Sequence, residues 1–222
     1  IGVIGDNGNT NGATITENDI AGGYMGINLR YDSSESTVSN NIIHDNNVGI
    51  AVSSSKDNTI SGNEIYANDE GILLDSGEGD GDVSGNVLDE NDIHDNLYNS
   101  LNAWYVTFSQ LNITNNNLTN NGDLGMYFEQ VADSIDWLII SGNRIIDNGN
   151  EGIIITYVTN SNVNISNNNI VGNGRFEGDY YGEVYGLSIY SVDGDSKVEI
   201  DSNNISENSG PGVYLYEYAT NI

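Results

Sequence analysis

One short pattern is written repeatedly along the chain, and it constrains the fold more than any other feature. Its clearest copy is TISGNEIYANDEGILL, residues 59–74. Apolar residues and asparagines stand at fixed distances in it, and a glycine then precedes two apolar residues separated by one position. A sequence built from one short unit written many times indicates a repeat architecture.

About eight copies of the pattern follow one another in the chain. Apolar residues two positions apart, such as Ile72 and Leu74, are typical of short strands with one buried face. β-Branched residues, glycine and asparagine disfavour helix throughout. Units of about 22–25 residues with three short strands describe one coil of a parallel β-helix. We therefore predict an all-β fold, a right-handed single-stranded parallel β-helix (solenoid) of about eight coils, with residues 1–222 forming a single domain.

The two asparagines of each copy have a structural explanation. When coils stack in register, Asn63 should lie above Asn41 at the strand spacing of about 4.8 Å, where side-chain amides bond to one another as an asparagine ladder. Asparagine also tolerates the left-handed backbone of tight bends, so we expect that conformation at these positions. The repeated glycine, as at Gly71 and Gly125, is predicted to fill another bend, where a positive φ or a close approach between coils favours it. These residues are framework rather than catalytic groups.

The repeated motif I-x-x-N-x-I-x-x-N-x-x-G-I-x-I resembles parallel β-helix proteins of the pectate-lyase-like superfamily, especially archaeal and bacterial cell-surface and carbohydrate-binding members. The resemblance covers nearly the whole chain. It implies an extracellular or cell-surface location and a polysaccharide or cell-surface glycan as partner. The superfamily includes polysaccharide lyases, hydrolases and surface adhesins, so the resemblance does not choose among these functions.

The charge of the chain excludes some partners. There are 33 acidic and five basic residues, which give a formal net charge of −28. Such a surface repels nucleic acids and anionic membranes, so we expect neither as a partner. No apolar run is long enough for a transmembrane helix, so membrane insertion is not expected either.

The two ends of the sequence match incomplete coils. Gly2 and Val3 match the last strand of a coil, and residues 219–222 match the start of another. We therefore expect the sequence to be a piece of a longer protein. The alternative is end-to-end self-association, in which uncapped coils stack on other subunits to build an extracellular filament.

The glycine-led strands carry the candidate sugar-binding surface. The outward positions of these strands contain more aromatic residues in the C-terminal coils, and Asp75 and Glu129 lie beside these aromatic residues. Flat aromatic faces suit sugar rings, although tyrosine is also simply a good strand residue on a half-exposed face. The insertion at residues 174–185 adds either a wall to this groove or a protective flap. The candidate substrate-binding residues are Trp104, Tyr105, Tyr127, Tyr157, Tyr180, Tyr181, Tyr190, Tyr214 and Tyr216.

Catalysis is the alternative function, and its candidate residues are few. A glycoside hydrolase needs two carboxyl groups about 5–9.5 Å apart. Asp75 and Glu129 are predicted to lie two coils apart, at roughly 10 Å. A polysaccharide lyase would need a basic residue, and only Arg175 has acidic and aromatic neighbours in the sequence. Whether the chain is an enzyme stays open at this point.

Calcium is the cation that the sequence favours. Asp75, Glu78, Asp80 and Asp82 bring four carboxylates into one glycine-rich segment, and calcium prefers such hard oxygen ligands. The segment fits no complete calcium-loop consensus.

The two histidines, His44 and His94, share the context IHDN. Two coils would separate them by about 10 Å, too far to share an ion at the metal–nitrogen distance of about 2 Å. We expect solvated bend residues there.

Overall fold

The structure, a computed structural model, describes residues 11–30, 33–76, 82–104, 110–131, 137–175 and 184–216. Within these ranges it is a right-handed parallel β-solenoid without helices. Each coil contributes one strand to each of three parallel sheets, and every sheet contains eight strands. The predicted fold class is therefore confirmed. The same ranges hold no apolar helix of membrane-spanning length.

The strands are short, as the spacing of the apolar residues predicts. In chain order they are β1 (Thr14–Thr16), β2 (Asp19–Ala21), β3 (Met25–Arg30), β4 (Thr37–Ser39), β5 (Ile42–His44), β6 (Val48–Ser53), β7 (Thr59–Ser61), β8 (Glu64–Tyr66), β9 (Glu70–Asp75), β10 (Asn86–Asp89), β11 (Asp92–His94), β12 (Leu101–Trp104), β13 (Leu111–Thr114), β14 (Asn117–Thr119), β15 (Met126–Glu129), β16 (Trp137–Ser141), β17 (Arg144–Ile146), β18 (Ile153–Thr159), β19 (Asn162–Ser166), β20 (Asn169–Val171), β21 (Leu187–Asp193), β22 (Lys197–Asp201), β23 (Asn204–Ser206) and β24 (Val213–Tyr216). Sheet A contains the first strand of each coil, from β1 to β22, sheet B the second, from β2 to β23, and sheet C the third, from β3 to β24.

The core runs along the axis of the solenoid between the three sheets. Alternate residues of each strand point inward, so that Ile72 and Leu74 of β9 are fully buried while Leu73 and Asp75 are partly exposed. One cluster of buried aliphatic side chains continues from Ile15 through the coils. Each fully buried aliphatic side chain contributes about 1.5–3 kcal/mol, so the stacked coils stabilise one another mainly through this column.

Two ladders of buried asparagines line the corners of the solenoid, as predicted. In each ladder the side-chain amide of one coil donates to the side-chain oxygen of the next coil. The first ladder joins Asn18, Asn41, Asn63, Asn91, Asn116, Asn143, Asn168 and Asn203. The second joins Asn46, Asn68, Asn96, Asn121, Asn148, Asn173 and Asn208.

The prediction of left-handed backbone at the ladder asparagines was wrong by one residue. The positive φ values belong to the residues just before them, for example Asn40 at 54°, Gly62 at 63° and Asn115 at 54°. Asn63 and Asn116 do not have positive φ. The left-handed residue makes the sharp bend, and the next residue is then free to direct its amide into the corner, where the ladder forms.

Close approach between coils explains the repeated glycine. Gly71 and Gly125 do not have positive φ. A Cβ atom on Gly71 would lie 2.4 Å from the carbonyl oxygen of Ser100, and one on Gly125 would lie 2.4 Å from that of Gly152. Of the two reasons that the sequence offered for this glycine, the close approach is therefore the correct one.

Candidate functional site

The outer face of sheet C brings the predicted surface residues into rows. Asp75 pairs with Trp104, and Trp104 pairs with Glu129, in three successive strands. In the neighbouring outward row, Asn102 lies between Leu73 and Tyr127. The repeat alone predicted both rows, because strand register follows from the spacing of the inward residues.

A groove of about 270 Å³ opens on this face, at the end of sheet C where its strands begin. We call it the sheet C groove. Its lining residues come from four successive coils and are Tyr24, Asn47, Val48, Asp69, Glu70, Leu73, Tyr98, Asn102 and Trp104. Aromatic side chains therefore surround a floor that contains amides and carboxylates.

The centre of the floor is a contact between Asn102 and Glu70. The side-chain amide of Asn102 donates a hydrogen bond of 2.9 Å to a carboxylate oxygen of Glu70. Asn102 is only 2% exposed, and within the described part of the chain its side-chain oxygen has no hydrogen-bond partner. A buried acceptor without a donor costs about 1–3 kcal/mol. Asn102 therefore carries an unsatisfied buried acceptor directly beside the groove.

The carboxyl groups near the groove are poorly solvated. Burial raises the pKa of Glu70 above its ordinary value, the hydrogen bond from Asn102 partly offsets this, and the charges of Asp123 and Asp69 add to it. Burial likewise raises the pKa of Asp123 and of Glu151, and the charge of Asp123 adds to the rise at Glu151. These three acids hold their protons more readily than exposed carboxyl groups do.

Backbone hydrogen bonds place Tyr98 between Asp69 of the preceding coil and Asp123 of the following coil. The Tyr98 N–H donates to the carbonyl oxygen of Asp69 at 2.8 Å, and the Asp123 N–H donates to that of Tyr98 at 3.1 Å. Asp69 and Asp123 are thus two coils apart, which is roughly 10 Å at the spacing of strands. Carboxylates and an aromatic ring alternate along this edge of the groove.

Three aromatic side chains form the rim of the groove and remain open to solvent. Tyr24 is 73% exposed, Tyr98 50% and Trp104 43%. Large exposed rings beside a polar floor are the arrangement that sugar-binding sites use, because a ring face covers the apolar face of a pyranose while polar groups bond its hydroxyls.

The predicted aromatic strip is divided in two. Among its members that the structure describes, Trp104 alone lines the groove, whereas the tyrosines of the last coils contact each other. Tyr214 stacks on Tyr185 at 4.3 Å between ring centroids and lies 6.0 Å from Tyr216. Tyr190 is 5.8 Å from Tyr214, and burial raises its pKa. This second cluster is separate from the groove.

The other predicted residues fall elsewhere. Tyr127 is half-buried beside Asn102, and Tyr157 of β18 is 59% exposed. Arg175 follows the second ladder at the corner between sheets B and C, where its N–H lies 3.5 Å from the Asn148 carbonyl oxygen. The predicted residues Tyr105, Tyr180 and Tyr181 lie outside the described residues.

The predicted calcium segment is described only at its two ends. Asp75 and Asp82 belong to the described ranges, but Glu78 and Asp80 do not. Among the residues that the structure does describe, no three acidic or histidine side chains come together as a metal site requires. Calcium binding by this segment therefore stays a prediction.

The two histidines end strands of sheet B instead of lying in bends. Tyr66 lies between them, and its ring centroid is 5.1 Å from that of His44 and 5.4 Å from that of His94. The rings are stacked and the histidines are half-buried, so the prediction of solvated bend residues was wrong. His44 also contacts Asp45 at 2.7 Å and Asp19 at 2.9 Å.

These contacts predict a pH dependence of stability. Hydrogen bonds to Asp45 and Asp19 raise the pKa of His44 above about 6.5. The charged form is therefore stabilising at pH values below the pKa of the unfolded chain, and this contribution is lost as pH rises through the higher folded pKa. Denaturation midpoints from about pH 5 to about pH 8 should show the wild type exceeding His44→Gln at the acidic end and converging with it at the alkaline end. A difference that does not vary with pH would contradict this.

Sequence reasoning missed the carboxylates and tyrosines at the start of sheet C. Glu70, Asp123 and Glu151 come before or at the beginning of the glycine-led strands, whereas the predicted surface consists of residues after the glycine. The available signal was an acidic or aromatic residue one to two positions before that glycine, as in Asp69 and Glu70 before Gly71 and in Asp123 before Gly125.

Comparisons with known proteins agree with this architecture. The profile of the family described as "Right handed beta helix region" matches residues 2–136 and 80–222. No curated protein matches the sequence.

Several solved structures share the fold. The A-module of the mannuronan C-5 epimerase AlgE4 from Azotobacter vinelandii has a TM-score of 0.74 and 20% identity, over 95% of this chain and 57% of that chain. The periplasmic alginate epimerase AlgG has a TM-score of 0.60 and 17% identity, over 86% of this chain and 43% of that chain. The Agl-KA catalytic domain has a TM-score of 0.53 and 13% identity, over 95% of this chain and 52% of that chain.

At these identities the similarity concerns the fold alone, and the chain spans about half the length of these structures. The family profile, in contrast, covers nearly every residue. The chain belongs to the right-handed β-helix family.

Proposed function

We propose that this chain is an extracellular or cell-surface module that binds a polysaccharide across the outer face of sheet C, with the sheet C groove as its centre. The observation that carries the proposal is the composition of the sheet C groove, in which Glu70 and its hydrogen-bond partner Asn102 are lined up with exposed aromatic rings such as Trp104. A sugar offers both partners that such a site lacks, since its hydroxyl groups donate hydrogen bonds and its ring faces cover aromatic surfaces.

Two further observations support the proposal. Several β-helix structures similar to this chain are named for activity on mannuronan or alginate, and one of these is named as periplasmic. The parallel stacking of coils also repeats the outer face every ~4.8 Å. A repeating surface suits a repeating polymer, because several sugar units can contact successive coils.

Catalysis on the bound polysaccharide is the second candidate function. Burial raises the pKa of Glu70, Asp123 and Glu151, and a raised pKa is the direction of change that favours a carboxylic acid as a general acid. Asp69 and Asp123 lie about two coils apart, near the upper limit of the spacing of an inverting pair. The sequence candidates Asp75, Glu129 and Arg175 would then contact more distant parts of the polymer.

Alanine in place of Trp104 tests the site. A glycan-array screen first identifies a ligand, and calorimetric titration then measures its affinity. We expect Trp104→Ala to weaken binding roughly tenfold, or about 1.5 kcal/mol, because the stacking ring is lost. Tyr216→Ala is the matched control, since Tyr216 lies in the same outward row but outside the groove.

The outcomes separate the candidates. Equal losses from both variants would place binding along the whole row and not at the groove. Release of reducing ends or unsaturated products from the bound glycan would favour catalysis over simple binding. A wild-type protein that binds no neutral, acidic or basic glycan on the array would overturn the proposal.

A further inference from the structure

The charged residues that line the sheet C groove are all acidic. Its nine lining residues include Asp69 and Glu70 but neither lysine nor arginine. Asp123, although outside the lining, is close enough to add its charge to the environment of Glu70. A poorly solvated carboxylate is normally paired with a cation, and these lining residues supply none.

The floor of the groove also presents acceptors in preference to donors. The side-chain amide of Asn102 already donates to Glu70, and its buried oxygen has no hydrogen-bond partner among the described residues. The carboxylate of Glu70 can accept further hydrogen bonds, because an ionised carboxylate is an acceptor only. A ligand group with several donors and a positive charge meets both of these requirements at once.

The rim adds a third requirement that the same ligand group satisfies. Tyr98 and Trp104 are half-exposed aromatic rings on the rim above this floor. Aromatic faces attract cations as well as the apolar faces of sugars. An ammonium group carried on a pyranose ring brings both kinds of contact.

We propose that the polysaccharide bound in the sheet C groove is one with free amino groups, such as a polymer of glucosamine or galactosamine. This inference rests on the proposed function and names its ligand class. The ammonium group lies against the carboxylate of Glu70, while the pyranose ring covers Trp104.

Other sugar classes match the groove less well. A neutral sugar can donate hydrogen bonds to Glu70 but leaves its carboxylate without a counter-charge. A uronate such as alginate brings another carboxylate toward Asp69 and Glu70, and like charges at short distance are unfavourable. The ligand class inferred here therefore differs from the alginate named for the similar structures.

Matched oligosaccharides test this inference. Glucosamine, N-acetylglucosamine and alginate oligosaccharides of equal length would be titrated into the protein at a salt concentration of about 0.15 M, where interactions between distant charges are screened. We expect the glucosamine series to bind at least about tenfold more tightly than the N-acetylated series. Tighter binding of N-acetylglucosamine or alginate, or equal affinity, would overturn the ligand class and leave the proposed function standing. Absence of binding to every glycan, including a full array, would overturn both.

Paired variants separate a site from general attraction to an acidic protein. Glu70→Gln and Asp201→Asn each remove one negative charge without a large change in shape, and Asp201 is exposed in β22 on sheet A. We expect Glu70→Gln to lose about tenfold in affinity for glucosamine oligosaccharides and to keep whatever affinity the wild type has for the N-acetylated series. Asp201→Asn should change both affinities by less than about twofold. Equal losses in the two variants would overturn the inference, and thermal unfolding would verify that both fold.

Discussion

Leucine in place of Asn116 is expected to lower the free energy of unfolding by about 3–5 kcal/mol. Asn116 is 2% exposed, and its amide donates to the carbonyl oxygen of Leu88 at 2.9 Å and to the side chain of Asn143 at 3.1 Å. Its oxygen accepts from the backbone and side-chain N–H groups of Asn91 at 3.0 and 2.9 Å. Leucine fills a similar volume but leaves buried donors and acceptors without partners, which costs more than the hydrogen bonds themselves contribute.

The neighbouring residue provides a control with the same chemistry. Asn117 points outward and bonds the side chains of Asp92 and Arg144 in exposed positions. Asn117→Leu should therefore cost less than about 1 kcal/mol, because water replaces those partners. Denaturant titrations of the two variants measure the difference. Equal losses would mean that the ladder is no more important to stability than surface amides.

Alanine in place of Gly125 is expected to destabilise the solenoid by about 3 kcal/mol. The new methyl group would lie 2.4 Å from the carbonyl oxygen of Gly152 and 2.5 Å from a methyl carbon of Ile145. Neither contact can be relieved by rotating a flexible side chain, since one atom is backbone and the other is in a buried core residue. The coils must separate locally, and hydrogen bonds between strands weaken as they do.

Gly212 occupies the corresponding position of the last described coil. A Cβ atom there would have no neighbour closer than 3.5 Å, and the residue does not have positive φ. Gly212→Ala should leave stability unchanged or raise it by up to about 1 kcal/mol, because alanine restricts the unfolded chain. A large loss in this variant would show that the backbone conformation, and not the approach of the next coil, requires glycine.

The fold could be predicted from the sequence because each coil repeats the same arrangement of inward aliphatic residues and corner asparagines. Inward aliphatic residues two positions apart fix the strands, and the stacking of identical coils then fixes the register. The row that joins Asp75, Trp104 and Glu129 followed from that register alone. The position of the left-handed residue at each ladder corner could not be predicted in this way. The sequence shows where the corner lies, but it does not show whether the ladder asparagine or the residue before it takes the positive φ. Asn40 and Gly62 take it in successive coils.

The groove was not predictable in the same way. The chain between the second ladder asparagine and the first inward residue of the next strand varies in length, from Asn68 to Ile72 in one coil and from Asn96 to Leu101 in the next. The repeat therefore does not specify which residues align there, and Tyr98 could not be placed beside Asp69. The contact of Asn102 with Glu70 is likewise a side-chain arrangement between coils, with no fixed offset in the sequence to reveal it.

The asparagine ladders also have a direction. The backbone and side-chain N–H groups of Asn63 both donate to the side-chain oxygen of Asn91, which belongs to the following coil. Asn91 donates onward to Asn116 in the same way. The side-chain amide of Asn63 also donates back to the carbonyl oxygen of Val38 in the preceding coil, but the backbone N–H groups of Asn63 and Asn91 are satisfied by the coil that follows. A chain that leaves the ribosome amino end first consequently builds this solenoid vectorially, with only its newest coil carrying unsatisfied corner donors at any stage of synthesis.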